Sequence, residues 1–218
     1  DNHFSRPEDI DEFIGVLERF EKGELSSEEF RQFRLTRGVY GQRQTDVNML
    51  RTKFPGGILN GPQLRACAAI AREFTRFGKG HVTTRQNVQF HFVELGNMPH
   101  ALAKLDVAGS TAVEACGNTV RNITGCPYAG VSPTEPFDIT PYTHAITRMC
   151  LRAGWANDLP RKFKMALEGC THADHAQTAI NDVGLRARVH NGVRGFEMFV
   201  AGGLSTSPRP GYRLHAFI

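Results

Sequence analysis

The chain has 218 residues, of which 40% are hydrophobic, enough to bury a sizeable core in one large domain or two small ones. Its formal net charge is +4 with arginines scattered along the length, a balance that excludes a disordered tail or a nucleic-acid arm and suits a basic pocket for a small anion. No apolar run approaches the roughly 20 residues of a membrane helix, and the acidic, amphipathic start is unlike a secretory signal, so a cytoplasmic protein with no membrane and no nucleic-acid partner is expected.

Ile10, Phe13, Ile14, Leu17 and Phe20 fall at helical spacing, and Ser26 with Glu29 forms a capping-box pattern ahead of Phe30 and Phe33, so two short helices open the chain. Residues 47–54 alternate as a strand with Arg51 and Lys53 on one face, stopped by Pro55-Gly56-Gly57. Pro62 starts a helix whose apolar stripe runs from Leu64 to Phe77. Residues 82–93 read as a strand with Val88, Phe90 and Phe92 on one face and Arg85, Asn87, Gln89 and His91 on the other. Residues 98–107 form a further helix, so positions 47 to 108 spell strand, helix, strand, helix.

Residues 116–135, rich in Gly, Asn, Pro and Thr, read as an ordered loop, and Thr140-Pro141 opens a helix with Tyr142, Ala145, Ile146 and Met149 inward. Residues 161–168 predict a strand with Phe163, Met165 and Leu167 opposite Lys162 and Lys164. Residues 185–189 and 196–200 flank Asn191-Gly192, the strongest short hairpin signal, and 212–217 is strand-like. The sequence looks interrupted at its end. Five cysteines, Cys67, Cys116, Cys126, Cys150 and Cys170, form no Cys-x-x-Cys pair, so reduced thiols are expected and an iron–sulfur ligand set is not.

Three strands or loops thus set cations opposite apolar residues: Arg51 with Lys53, Arg85 beside Gln89 and His91, and Lys162 with Lys164, while Arg121 lies in a fourth segment. Arg offers a fixed fork for oxyanions, and Lys a compact charge and a proton. A solvated sheet face shows the same alternation, so the pattern alone leaves both readings open.

Met49-Leu50-Arg51-Thr52-Lys53-Phe54-Pro55-Gly56-Gly57 resembles the first basic strand of the sirohaem-dependent nitrite and sulfite reductases. In order, Thr83-Thr84-Arg85-Gln86-Asn87 is similar to that family's haem-contact strand and Asn118-Thr119-Val120-Arg121-Asn122 to its Asn-x-x-Arg-Asn loop. Leu159-Pro160-Arg161-Lys162-Phe163-Lys164 completes the set. The resemblance implies an α+β protein: an N-terminal helical segment over 1–40, a ferredoxin-like half-domain over 41–109, and the first, truncated copy of the sirohaem-binding α/β domain over 110–218. It further implies that Arg51, Arg121, Lys162 and Lys164 surround the oxyanion. Lys53, Thr83, Arg85, Gln89, His91 and Asn122 would meet the macrocycle, whose carboxylates demand several cations.

The activity so implied is six-electron reduction of sulfite to sulfide at sirohaem coupled to a 4Fe–4S cluster, with nitrite reduction to ammonia as the alternative. Lys162 with Lys164 resembles sulfite reductases, whereas the wording of the Arg85 and Arg121 motifs is similar to nitrite reductases. The cluster's cysteines would lie in a C-terminal half of the same enzyme, and the electron donor would be ferredoxin or a flavoprotein. A non-enzymatic tetrapyrrole-binding half-module is the competing reading. Cys170-Thr171-His172-Ala173-Asp174-His175 offers zinc-type ligands, yet with one Cys at irregular spacing it is read as a loop, and no metal ligand is assigned. Gly202-Gly203 reads as a turn or bulge.

Overall fold

The computed structural model describes residues 3–218, so the first two positions of the expected N-terminal segment lie outside the described residues. The chain divides into two units, one of residues 1–54, 58–120 and 151–162 and the other of residues 55–57, 121–150 and 163–218. Among the described residues no helix is long and apolar enough to cross a membrane.

The first unit begins with α1 (Pro7–Glu21), which has Pro7 in its first turn with Glu8 and Asp9 complementing the helix dipole. In α2 (Ser27–Thr36) the Ser26 and Glu29 side chains cap each other's backbone amides, so the expected capping box is present. A second capping box, Asn60 with Gln63, starts α3 (Gly61–Phe74), and α4 (Met98–Val107) carries Pro99 in its first turn. Four antiparallel strands, β1 (Val39–Gly41), β2 (Val47–Arg51), β3 (His81–Val82) and β4 (Val88–Glu94), lie in the order β1-β2-β4-β3. Phe13, Phe30, Leu50, Phe54, Ile70, Phe90, Val93, Met98 and Leu105 join helices to sheet in one core. Burying each such side chain stabilises the fold by about 1.5–3 kcal/mol. Gly38 has φ +79° and lies so close to Ala112 that a Cβ would stand 2.3 Å from its carbonyl oxygen.

The expected single strand over 82–93 is instead a hairpin. Residues 83–87 form a turn in which Gln86 has φ +54°, the Thr83 hydroxyl donates to Asn87 Oδ1 (2.6 Å), and Thr83 N–H donates to the Asn87 carbonyl (3.0 Å). Phe92 also takes a left-handed φ of +60°. That extra step moves the core position from Phe92 to Val93 and leaves Phe92 half-buried, edge-on to Phe77 at 5.3 Å.

The second unit is built on a five-stranded sheet of β5 (Thr124–Gly125), β6 (Met165–Glu168), β7 (Val183–His190), β8 (Val193–Val200) and β9 (Tyr212–His215), in that order. β5, β6 and β7 are parallel, whereas β7, β8 and β9 are antiparallel. The Asn191-Gly192 signal holds: both residues have positive φ, +50° and +78°, and His190 pairs with Val193 across the turn. The strand expected over 161–168 is confined to β6, where Ala166, Leu167 and Glu168 are all buried, because a central parallel strand is covered on both faces.

α5 (Thr140–Cys150) starts after Asp138, whose carboxylate accepts from Thr140 N–H (2.8 Å), but it does not bury the expected face. Thr143, His144, Thr147 and Cys150 are inward, and Met149 is exposed. The threonine hydroxyls donate to the carbonyls of Thr140 and Thr143 (2.7 and 2.8 Å), which satisfies them within the helix and allows a polar-named stripe to be core.

Candidate functional site

In the first unit β2 ends at Arg51, and its neighbour β4 sets Gln89 opposite it in register. With its amide turned to accept, Gln89 Oε1 takes hydrogen bonds from Arg51 Nη2 (3.1 Å) and Nε (3.2 Å). Arg51 Nη1 also points at the Ala115 carbonyl (3.5 Å) and at Cys116 Sγ (3.4 Å). Among the described residues no salt bridge joins Arg51 to a carboxylate, and these three contacts fix the direction of its guanidinium.

His91 lies two residues along β4, its ring stacked against His81 of β3 with centroids 5.6 Å apart. Burial, then the His81 ring and the Arg51 charge, holds the His91 imidazole below its ordinary value. His81 was not singled out in the sequence. The pairing of β3 with β4 brings it there, and the sole hint is its place at the start of a basic strand. Beside the two histidines a groove of about 550 Å³ is lined by Phe77, Lys79, Val82 and Phe92. Arg85 is half-buried on the turn braced by Thr83, whose hydroxyl is occupied in holding that turn.

Lys53 differs from expectation. It does not share Arg51's half-open face, because its chain bridges to Thr111 instead of continuing β2, and its ammonium is buried. Lys53 Nζ donates to the Val120 carbonyl (3.1 Å) and lies 3.7 Å from Glu114 Oε2. A cation placed so is structural within its unit. Lys162 ends the unit's last segment and is exposed.

In the second unit β5 and β6 run parallel with Thr124 paired to Ala166, and Arg121 N–H donates to the Phe163 carbonyl (2.9 Å). That bond sets Arg121 beside the segment that carries Lys164, just ahead of the paired strands, and Asn122, which follows Arg121, is buried. Lys164 N–H donates to Asp182 Oδ2 (2.7 Å), which holds the lysine's backbone. Within the first unit the donor set fits an anionic, carboxylate-bearing ligand: the Arg51 and Arg85 guanidinium groups on half-buried positions, with apolar walls beside the two histidines. The chain's thiols do not fit a cluster held by four thiolates, because Cys126 and Cys170 are the two thiols gathered in one group of metal-type ligands among the described residues.

Two domain families match the chain: the nitrite/sulfite reductase ferredoxin-like half domain over residues 40–108 and the nitrite and sulphite reductase 4Fe-4S domain over residues 116–218. An assimilatory ferredoxin-dependent nitrite reductase of Haloferax mediterranei is 36% identical over 197 residues, covering 83% of this chain and 33% of that protein. A ferredoxin sulfite reductase of Mycobacterium tuberculosis is 35% identical over 170 residues, covering 78% and 30%. The chain thus spans about a third of the length of the curated relatives it matches. Among solved structures, the NirA protein of Mycobacterium tuberculosis superposes with a TM-score of 0.82 at 31% identity, over 94% of this chain and 42% of that one. Dissimilatory sulfite reductase I, with a TM-score of 0.67 at 12% identity, shares the fold.

Proposed function

Because the chain belongs to the sirohaem nitrite/sulfite reductase family, we propose that it supplies the oxyanion-binding cations of an enzyme that reduces sulfite to sulfide. The observation that carries this reading is Arg51: a guanidinium aimed by Gln89, the Ala115 carbonyl and Cys116 Sγ, with no carboxylate paired to it among the described residues. Bound sirohaem would supply the iron to which the anion coordinates and the route for its six electrons. Arg85, Gln89, His91 and Asn122 would hold the macrocycle's carboxylates and edge, while Lys53 serves from behind by fixing the segment that follows Arg51.

Arg51 and Arg121 bind the oxyanion and stabilise negative charge that develops on its oxygens as each bond to oxygen breaks. Lys162 and Lys164 hold transferable protons at Nζ and serve as general acids for the departing oxygen. Each reduction consumes protons, so a cationic donor near the substrate is needed as well as a binder. The second Lys of the Lys162–Lys164 pair favours sulfite. The motifs around Arg85 and Arg121 favour nitrite as the second reading, and the relatives carry both names.

The cluster's cysteines are proposed to come from a further, cysteine-rich half of the enzyme, with ferredoxin or a flavoprotein as donor. The test is the visible spectrum and iron content of the chain co-produced with sirohaem synthesis, with and without such a half from a relative. Sirohaem absorption that appears with the second half and is lost in Arg85→Ala, while Arg51→Ala and Arg121→Ala keep it but lose the spectral shift on adding sulfite, supports the reading. Absence of sirohaem in both preparations overturns it.

A further inference from the structure

The carboxyl ends of two parallel strands in the second unit gather four side chains that the proposed reduction leaves unused. Cys126 directly follows β5, Glu168 closes β6, and Cys170 and His175 lie in the segment beyond it. Cys126 Sγ stands 3.6 Å from Cys170 Sγ and 3.7 Å from His175 Nδ1, and His175 Nδ1 stands 3.7 Å from Glu168 Oε1. All four ligand atoms lie within 4.8 Å of one another.

Those distances match the edges of a metal's coordination shell. With Zn–S of about 2.3 Å and Zn–N of about 2.0–2.1 Å, a tetrahedral site has a sulfur–sulfur edge of about 3.8 Å and a sulfur–nitrogen edge of about 3.5 Å. We propose that Cys126 Sγ, Cys170 Sγ, His175 Nδ1 and Glu168 Oε1 bind one divalent cation of the zinc class.

The surroundings hold the ligands in place. Glu168 is fully buried, and its two oxygens accept from Cys170 N–H and Ala176 N–H, each at 2.8 Å, which curls the 170–176 segment around the carboxylate. A carboxylate oxygen has a second lone pair, so these bonds orient Glu168 without exhausting it. Cys170 Sγ also donates to Ser132 Oγ (3.2 Å), and the Tyr128 ring packs edge-on to His175 at 4.8 Å. On binding, each thiol releases its proton to solvent and both sulfurs ligate as thiolates, leaving oxidation states unchanged. A disulfide is a poorer account, since it requires sulfurs about 2.05 Å apart and gives His175 and Glu168 no part.

The test uses the tag-free 218-residue chain, reduced and stripped of metal, titrated with cobalt(II) and then zinc(II) while absorbance is recorded. Saturation at one cobalt per chain, with sulfur-to-cobalt charge-transfer absorption that zinc displaces, is the expected result. Cys126→Ala, Cys170→Ala and His175→Ala should each weaken zinc binding by about tenfold or more, at least the loss caused by removing a residue that merely supports a ligand. His172→Ala, exposed and outside the cluster, should leave affinity unchanged. His175 is largely at the surface, so circular dichroism of His175→Ala separates lost ligation from lost folding. Three results overturn the proposal: no charge-transfer band in the parent chain, a Cys126–Cys170 disulfide that persists under reductant, or bound iron with acid-labile sulfide in place of zinc.

Discussion

Lys53 Nζ and Glu114 Oε2 stand 3.7 Å apart with their side chains 2% and 1% exposed, an ion pair sealed inside the first unit. Glu114 Oε1 also accepts from Arg152 N–H (2.8 Å), and Glu114 N–H donates to the Thr36 carbonyl (2.6 Å). Removing one partner takes from the other, a buried charge, the opposite charge of this ion pair. Lys53→Ala and Glu114→Ala should therefore each cost about 3–5 kcal/mol, and Lys53→Met combined with Glu114→Leu much less than the two costs added. Urea denaturation of the three variants checks this. Single losses below about 1 kcal/mol would show the pair to be solvated.

The proton equilibrium of His91 carries a pH signature. Its folded value is depressed below 6.5, so the unfolded chain takes up this proton first as pH falls. The stability from keeping His91 neutral is complete above about 6.5 and declines as pH drops from there toward the folded value. His81→Ala removes the second-ranked cause and should raise the His91 titration midpoint without restoring it fully, since burial remains the largest cause. Histidine NMR titration reads both midpoints. An unchanged midpoint would remove His81 from the account.

Gly202 and its neighbour Gly203 make an internal control. A Cβ on Gly202 would stand 2.2 Å from the Ala179 carbonyl oxygen and 2.7 Å from that of Asn181, whereas Gly203 faces open space. Gly202→Ala should destabilise by about 1–3 kcal/mol and Gly203→Ala by far less. Thermal melts that move equally would contradict the close backbone approach.

The proposed preference for sulfite rests on Lys164, which is half-buried beside the Arg121 segment. In the complete enzyme Lys164→Asn should lower sulfite turnover more than nitrite turnover, because it removes a charge and a proton donor from the more highly charged anion. Equal losses on the two substrates would sink the sulfite assignment.

What the sequence made legible are features written in neighbouring residues: the Ser26–Glu29 capping box, helices opened by Pro62 and Pro99, and the Asn191-Gly192 turn. Features that depend on distant partners were not legible. Lys53 alternates with Arg51 as though on the same face, and nothing nearby announces Glu114, 61 positions later, as its partner. α5 hides threonines because their hydroxyls bond to their own helix, which a hydrophobic count scores as polar. The left-handed turn at Phe92 shifts the strand's phase by a residue that a period-2 pattern cannot register. Cys126 and Cys170, 44 positions apart, meet through parallel strand pairing, so no local spacing betrays them.

The second unit's mixed sheet also orders events in time. β7 and β8 pair across a two-residue turn, a contact that closes almost no loop, whereas β5 joins β6 by bringing Thr124 to Ala166. Chain entropy opposes the second pairing far more than the first, so the hairpin is the natural nucleus and the parallel pair a late arrival. Arg121 and Lys164 lie just ahead of the two strands so paired. Those two residues, proposed above to meet the oxyanion, therefore reach their places after the hairpin has formed.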